Sequence, residues 1–115
     1  MNAPLPPAAL DSARALDDVT QAWGSSILSE LKKYIEIPAK SPMFDADWAA
    51  HGHIDTVLRN AADWVQAQKV EGLKLEIIRL PGRTPVLFFE VDATRGASEG
   101  SAQTVLMYGH LDKQP

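Results

Sequence analysis

Residues 73–91 read LKLEIIRLPGRTPVLFFEV, and this stretch decides the fold. Residues 73–80 begin with alternating apolar and charged side chains, which predicts a β-strand with one side facing solvent. Residues 81–85, PGRTP, have the composition of a turn. Residues 86–91 are almost continuously apolar and predict a second, more buried strand. The stretch therefore predicts two consecutive strands joined by a short connection.

Two helical patterns precede these strands. From Asp11 to about Glu36 apolar residues recur every three or four positions, which predicts a helix, and the Gly-Ser-Ser sequence at 24–26 weakens its middle enough for a kink. A second helix is predicted from about His53 to Gln68. Residues 38–52, with their prolines, predict a long loop between the two. The apolar positions are Leu16, Val19, Trp23, Ile27, Leu31 and Tyr34 in the first helix and Ile54, Val57, Leu58, Ala61 and Val65 in the second.

The two ends of the chain complete the predicted order, α-α-β-β-β. Residues 1–10, with three prolines, predict a flexible tail. Residues 92–103 predict a small polar loop, and Val105 to Tyr108 predict a third strand. The fold class is α/β with an incomplete sheet, because two helices cover only one face of three strands. We therefore expect residues 11–115 to be the N-terminal portion of a larger α/β/α domain.

Composition excludes several classes of protein. The 115 residues include 15 acidic and 11 basic side chains, for a net charge of −4, and the pI is about 5.2. No basic patch is present to bind nucleic acid. The absence of cysteine excludes disulfides and thiolate metal sites. With neither a signal peptide nor an apolar run long enough to span a bilayer, we expect a cytoplasmic protein without a membrane partner.

The run VLMYGHLDKQP at residues 105–115 carries the first candidate site. Residues i and i+2 of a strand project to the same side, so His110 and Asp112 would point the same way. A neutral imidazole is a good zinc ligand, and a metal-bound histidine usually donates its other N–H to a carboxylate. The spacing alone favours a strand that turns into solvent, because short motifs such as His-x-Asp often occur by chance.

A second histidine cluster, HGHID, occupies residues 51–55. Its His-x-His-x-Asp spacing resembles the metal motif of the metallo-β-lactamase superfamily, which follows an apolar strand. Here the cluster follows DADWAA and opens a helical pattern, so the start of a helix is the better interpretation. The serines at 25, 26 and 41 lack the setting of a nucleophile, and no glycine loop fits a phosphate.

The run at 105–115 resembles the first metal-binding motif of the dinuclear zinc metallopeptidases that include carnosine dipeptidases, aminoacylases and carboxypeptidase G (metallopeptidase family twenty). That motif is an apolar strand followed by Gly-His-x-Asp, often with Gln-Pro soon after. Upstream, LKKYIEIPAKSP at 31–42 is similar to the first helix of the dipeptidase-like branch and the loop after it. Residues 75–91 resemble the opening strand pair of that branch.

The resemblance implies that His110 ligates one of two Zn²⁺ ions and that Asp112, as a catalytic-site residue, orients the imidazole. It implies hydrolysis of dipeptides or N-acyl amino acids by a metal-activated water. The other ligands, the glutamate base and a lid and dimerisation domain are expected beyond residue 115. The dimerisation domain implies that the full-length protein could form a homodimer. The chain by itself is expected to be inactive. The alternatives are a deacylase of the same family and a non-enzymatic α/β interaction module.

Overall fold

A computed structural model describes residues 9–93 and 103–115 of the chain. Most of the predicted tail at 1–10 and most of the predicted loop at 92–103 lie outside the described residues. The chain divides into two compact units, the first ending at Glu36 and the second beginning at Ile37. Both helices and a small antiparallel sheet are present, which confirms the α/β class. Within the described ranges no helix has the length and apolar character needed to cross a membrane.

The first unit is one long helical element with a π turn in its middle. Helix α1 spans Ser12–Ala22, the π turn spans Trp23–Ile27 and helix α2 spans Leu28–Glu36. Asp11 caps α1 by accepting a hydrogen bond from the Arg14 backbone N–H at 3.0 Å. The π turn falls on the segment whose sequence predicted a weakness, and there the Leu28 N–H donates to the Trp23 carbonyl five residues back.

The second unit is built on a helix and a β-hairpin. After the short helix α3 (Trp48–His51), helix α4 spans His53–Ala67. Strands β1 (Leu73–Ile78) and β2 (Val86–Val91) pair antiparallel, with Leu73 opposite Val91 and Ile78 opposite Val86. The predicted second helix and the predicted strand pair are confirmed. The loop predicted at 38–52 is interrupted by the single helical turn of α3, which its scattered apolar residues did not indicate.

A type II-like turn joins the two strands. Pro81 and Gly82 occupy its centre, Gly82 has a positive φ of 70°, and the Arg83 N–H donates to the Leu80 carbonyl at 3.1 Å. Proline followed by glycine suits this turn because the proline fixes a negative φ and the glycine tolerates a positive one. The turn composition read from residues 81–85 is thereby confirmed.

The core of the second unit lies along one face of α4, which packs against both strands. Ile54, Val57, Leu58 and Ala62 are buried on this helix. The inward side chains of β1 alternate with exposed ones, as the sequence predicted. Ala62 takes the buried place predicted for its neighbour Ala61, which is only half-buried. The only other buried apolar residue in the described ranges is Ala39, in the loop after the first unit.

Two predictions about the sheet were wrong. Strand β2 was expected to be buried, yet its side chains, Phe88 and Phe89 among them, are mostly exposed. Helix α4 provides the main packing on the hairpin, and within the described residues no second helix packs on it as extensively. Residues 105–108 were expected to form a third strand, but they have no ladder partner there and their side chains are 83–92% exposed. A β-strand forms only where a neighbouring strand shares its backbone hydrogen bonds.

Replacing Leu58 with alanine is expected to destabilise the second unit by about 2–4 kcal/mol, because the substitution removes a buried side chain and leaves a cavity. Urea unfolding followed by circular dichroism measures the change. Leu80→Ala is the matched control, since Leu80 is 59% exposed, and it should cost less than about 0.5 kcal/mol. Equal effects of the two substitutions would contradict the position of the core.

Candidate metal centre

Lys113 attaches the predicted metal motif to the loop that follows the first unit. Its backbone N–H donates to the Ala39 carbonyl at 2.8 Å, and its carbonyl accepts from the Ser41 N–H at 2.9 Å. These bonds form an isolated parallel bridge between Lys40 and Lys113. The Lys113 ammonium also donates to the Ile37 carbonyl, and burial lowers the pKa of Lys113. Both main chain and side chain therefore hold the residue directly after Asp112.

His110 and Asp112 meet just before this attachment. The His110 Nδ1 lies 3.1 Å from the Asp112 Oδ1 and 2.9 Å from the Asp112 backbone oxygen. A backbone carbonyl only accepts hydrogen bonds, so Nδ1 carries a proton and donates it. In the neutral imidazole the lone pair then lies on Nε2, where a metal ion could bind. The two side chains are 62% and 34% exposed, so this nitrogen belongs to an open part of the surface.

This geometry fits one ligand of a metal centre together with the carboxylate that orients it. A metal-bound histidine commonly donates its second N–H to a carboxylate or a backbone carbonyl, and His110 donates to both kinds of acceptor on one residue. Within residues 9–93 and 103–115 no group of three metal-ligating side chains comes together. Because a catalytic zinc site needs at least three protein ligands, the described residues supply only part of one. The metal role of His110 and the catalytic role of Asp112 stay predictions.

The aspartate of the second cluster is directed away from its histidines. Asp55 Oδ2 lies 3.0 Å from the Arg59 Nε on the same helix, and Asp55 Oδ1 lies 2.5 Å from the Arg79 Nη2 beyond β1. Two arginines therefore hold the carboxylate that a His-x-His-x-Asp metal site would need. Helix α4 begins at His53, which confirms the interpretation of this stretch as the start of a helix.

His51 in the same cluster pairs with an aspartate that the sequence analysis did not single out. Its Nδ1 lies 2.7 Å from the Asp45 Oδ2. This hydrogen bond and the negative charge of Asp45 raise the pKa of His51, and the same hydrogen bond lowers the pKa of Asp45. The Asp45 side chain is only 15% exposed.

Sequence reasoning missed both Lys113 and Asp45. Asp45 precedes its histidine by six residues, across a turn at 46–47 and the short helix α3, and this spacing belongs to no regular periodicity. Lys113 bonds to residues more than 70 positions earlier, and its residue type carries no signal for such a contact. The one available hint was the polar loop at 38–41, whose backbone groups needed partners.

Comparison with known proteins adds no constraint. No family model matches the chain, and a search of curated proteins finds no significant match.

The attachment through Lys113 predicts a contrast in amide hydrogen exchange. The amides of Ser41 and Lys113 should exchange at least about tenfold more slowly than those of Leu106 and Met107, because the first two donate hydrogen bonds and the last two lie in an exposed segment. Exchange followed by NMR measures all four in one sample. Similar rates at all four positions would show that the motif is not attached in solution.

Replacing Asp45 with asparagine is expected to lower the pKa of His51 towards its ordinary value, because the hydrogen bond from His51 to the carboxylate and the negative charge are what raise it. An NMR titration of the imidazole protons measures the shift. Asp63→Asn removes an exposed carboxylate on helix α4, and it should leave the pKa of His51 unchanged. An unchanged pKa in the Asp45 variant would contradict the pairing.

The same pair predicts a pH window for its contribution to stability. Because the pKa of His51 is higher in the folded protein, protonated His51 stabilises the fold at pH values below its pKa in the unfolded chain, about 6.5. This contribution to stability is lost as the pH rises through the pKa in the folded protein. Because the pKa of Asp45 is lower in the folded protein, ionised Asp45 stabilises the fold at pH values above its pKa in the unfolded chain, about 4. This contribution is lost as the pH falls through the pKa in the folded protein. Urea unfolding should therefore separate the wild type from Asp45→Asn most strongly between these two values.

Proposed function

We propose that the chain contributes the first ligand to a dinuclear zinc hydrolase that cleaves the amide bond of dipeptides or N-acyl amino acids. The observation that carries the proposal is the contact between His110 and Asp112, which holds Nδ1 as a donor and leaves Nε2 for a metal ion. Support also comes from the similarity of residues 105–115 to the first metal motif of family twenty metallopeptidases. The remaining ligands would come from residues outside the described ranges.

The residues of this chain have separable tasks in such a site. The Asp112 carboxylate and backbone oxygen both accept from Nδ1, so two acceptors fix the same tautomer and restrict rotation of the ring. A negative partner on Nδ1 also makes Nε2 a stronger electron-pair donor. Lys113 fixes the backbone that carries Asp112. When bound, zinc would supply Lewis-acid activation of water and of the amide carbonyl.

A non-enzymatic interaction module is the second candidate. It is favoured by the apolar side chains that β2 exposes, since Val86, Phe88, Phe89 and Val91 are 43–55% exposed. Side chains alternate along a strand, so Val86 and Phe88 lie on one side of β2 and Phe89 and Val91 on the other. Exposed apolar side chains of this kind are a common feature of surfaces that bind other proteins. The two candidates differ in one measurable property, because only the first requires His110 to bind a metal ion.

The hydrolase proposal is tested on the zinc-loaded product of the complete reading frame, with dipeptides and N-acyl amino acids as substrates. His110→Ala should abolish hydrolysis because it removes a metal ligand. Asp112→Asn should lower activity by about 10–100-fold, the usual cost of disturbing a carboxylate behind a ligating histidine. The exposed Asp63→Asn is the matched control and should have no effect. Full activity in His110→Ala would reject the proposal, and the better substrate would separate a peptidase from a deacylase.

The 115-residue chain itself should bind zinc weakly and should not hydrolyse these substrates, because its described residues bring no three ligands together. Isothermal titration with zinc tests this. Tight stoichiometric binding that disappears in His110→Ala would contradict the expectation and would show that the chain completes a site at His110 alone.

A further inference from the structure

Two imidazole rings lie close together at the junction of helices α3 and α4, with His51 exposed and His53 partly buried. His51 is the last residue of α3 and His53 is the first residue of α4. Gly52 separates them with a positive φ of 70°, which turns the chain sharply between the two helices. The ring centroids of the two histidines are 5.8 Å apart, and the ring planes are inclined by 32°. A continuous α-helix would place residues 51 and 53 about 200° apart around its axis, so it is the break at Gly52 that brings the two side chains together.

The hydrogen bond to Asp45 determines which nitrogen of His51 is available. An ionised carboxylate only accepts hydrogen bonds, so the contact of 2.7 Å to Asp45 Oδ2 places the proton on Nδ1. The neutral ring then has its lone pair on Nε2. Asp45 is largely buried while the His51 side chain is 51% exposed, so the carboxylate lies behind the ring and the ring itself is open to solvent. This arrangement of carboxylate and imidazole is the one that commonly supports a metal ligand.

The separation of the rings is close to what a shared ion requires. With metal–nitrogen distances of about 2.0–2.1 Å, two imidazoles on one tetrahedral ion have centroids about 5 Å apart. Closing the observed 5.8 Å to that value needs a movement of about 1 Å, which side-chain rotation can provide. Asp55 is held by two arginines, so the remaining positions on an ion would be filled by water.

We propose that His51 and His53 form a two-histidine site for a divalent transition-metal ion, with Asp45 as the residue that positions His51. Imidazole nitrogen suits Cu²⁺, Ni²⁺ and Zn²⁺, and Cu²⁺ binds most tightly to a given nitrogen site. Two protein ligands give an open, exchangeable site that differs from a closed structural zinc site. The site involves neither His110 nor Asp112, so it stands or falls independently of the hydrolase proposal.

Titration of the 115-residue chain with Cu²⁺ tests the site directly. We expect one ion to bind, with paramagnetic broadening in NMR spectra concentrated on residues 45–56. His51→Ala and His53→Ala should each weaken binding at residues 45–56 at least tenfold, whereas Asp63→Asn should leave it unchanged. Binding that survives both of the first two substitutions, or that is lost only in His110→Ala, would overturn the proposal.

Electron paramagnetic resonance of bound Cu²⁺ counts the nitrogen ligands of the ion. That number would not change if His53 had only a structural role. Hyperfine coupling to two imidazole nitrogens is expected in the wild type and to one in His53→Ala. Asp45→Asn should keep the two-nitrogen signature but weaken Cu²⁺ binding about 10-fold or more, the lower end of the usual effect of such carboxylates. Asp63→Asn should alter neither property. A wild-type spectrum with a single coupled nitrogen would exclude the shared site.

Discussion

The hydrogen bonds of Lys113 with the 37–41 loop tie together the two ends of the second unit. Its ammonium reaches the Ile37 carbonyl across 76 positions of sequence, and its backbone pairs on both sides with the loop. Loop closure over such a distance costs entropy that a single weak contact does not offset. Lys113 makes three hydrogen bonds with the loop, beside the buried Ala39, and these together oppose that cost. The position of His110, three residues before Lys113, depends on this attachment.

The second unit contains two histidine–aspartate pairs. In each pair an aspartate orients an imidazole ring, but the aspartate is positioned in a different way. At residues 110 and 112 the acceptors are neighbours in sequence, and a backbone oxygen supports the carboxylate. At His51 the carboxylate comes from six residues upstream and is shielded from water. The first pair depends on local chain geometry and the second on the fold of the 41–52 segment. Only His51 has another imidazole close by.

The sequence alone predicted the helices and strands that depend on interactions between residues near each other in the chain. Helix α4 and the hairpin follow from periodicity and from Pro81-Gly82, and the structure places them within two residues of the predicted ends. The same reasoning failed for residues 105–108 and for the burial of β2, since both depend on which elements lie alongside. Hydrophobic pattern shows that a segment favours a strand, but pairing and cover are properties of the neighbours. His110 and Asp112 do lie close together, as predicted, although residues 109–112 are not in the strand on which that prediction relied. The contacts of Lys113 and Asp45 were not predicted.

The π turn has a consequence for the apolar stripe of the first unit. Val19, Trp23, Ile27 and Leu31 are spaced by four residues, and each such step advances about 40° beyond a full turn of a regular α-helix. Over three steps the stripe would wind about 120° around the axis. One extra residue taken up in a wider turn removes about 100° of that rotation. The π turn at 23–27 therefore cancels most of this rotation. As a result, apolar residues spaced by four stay on one side of the helical element.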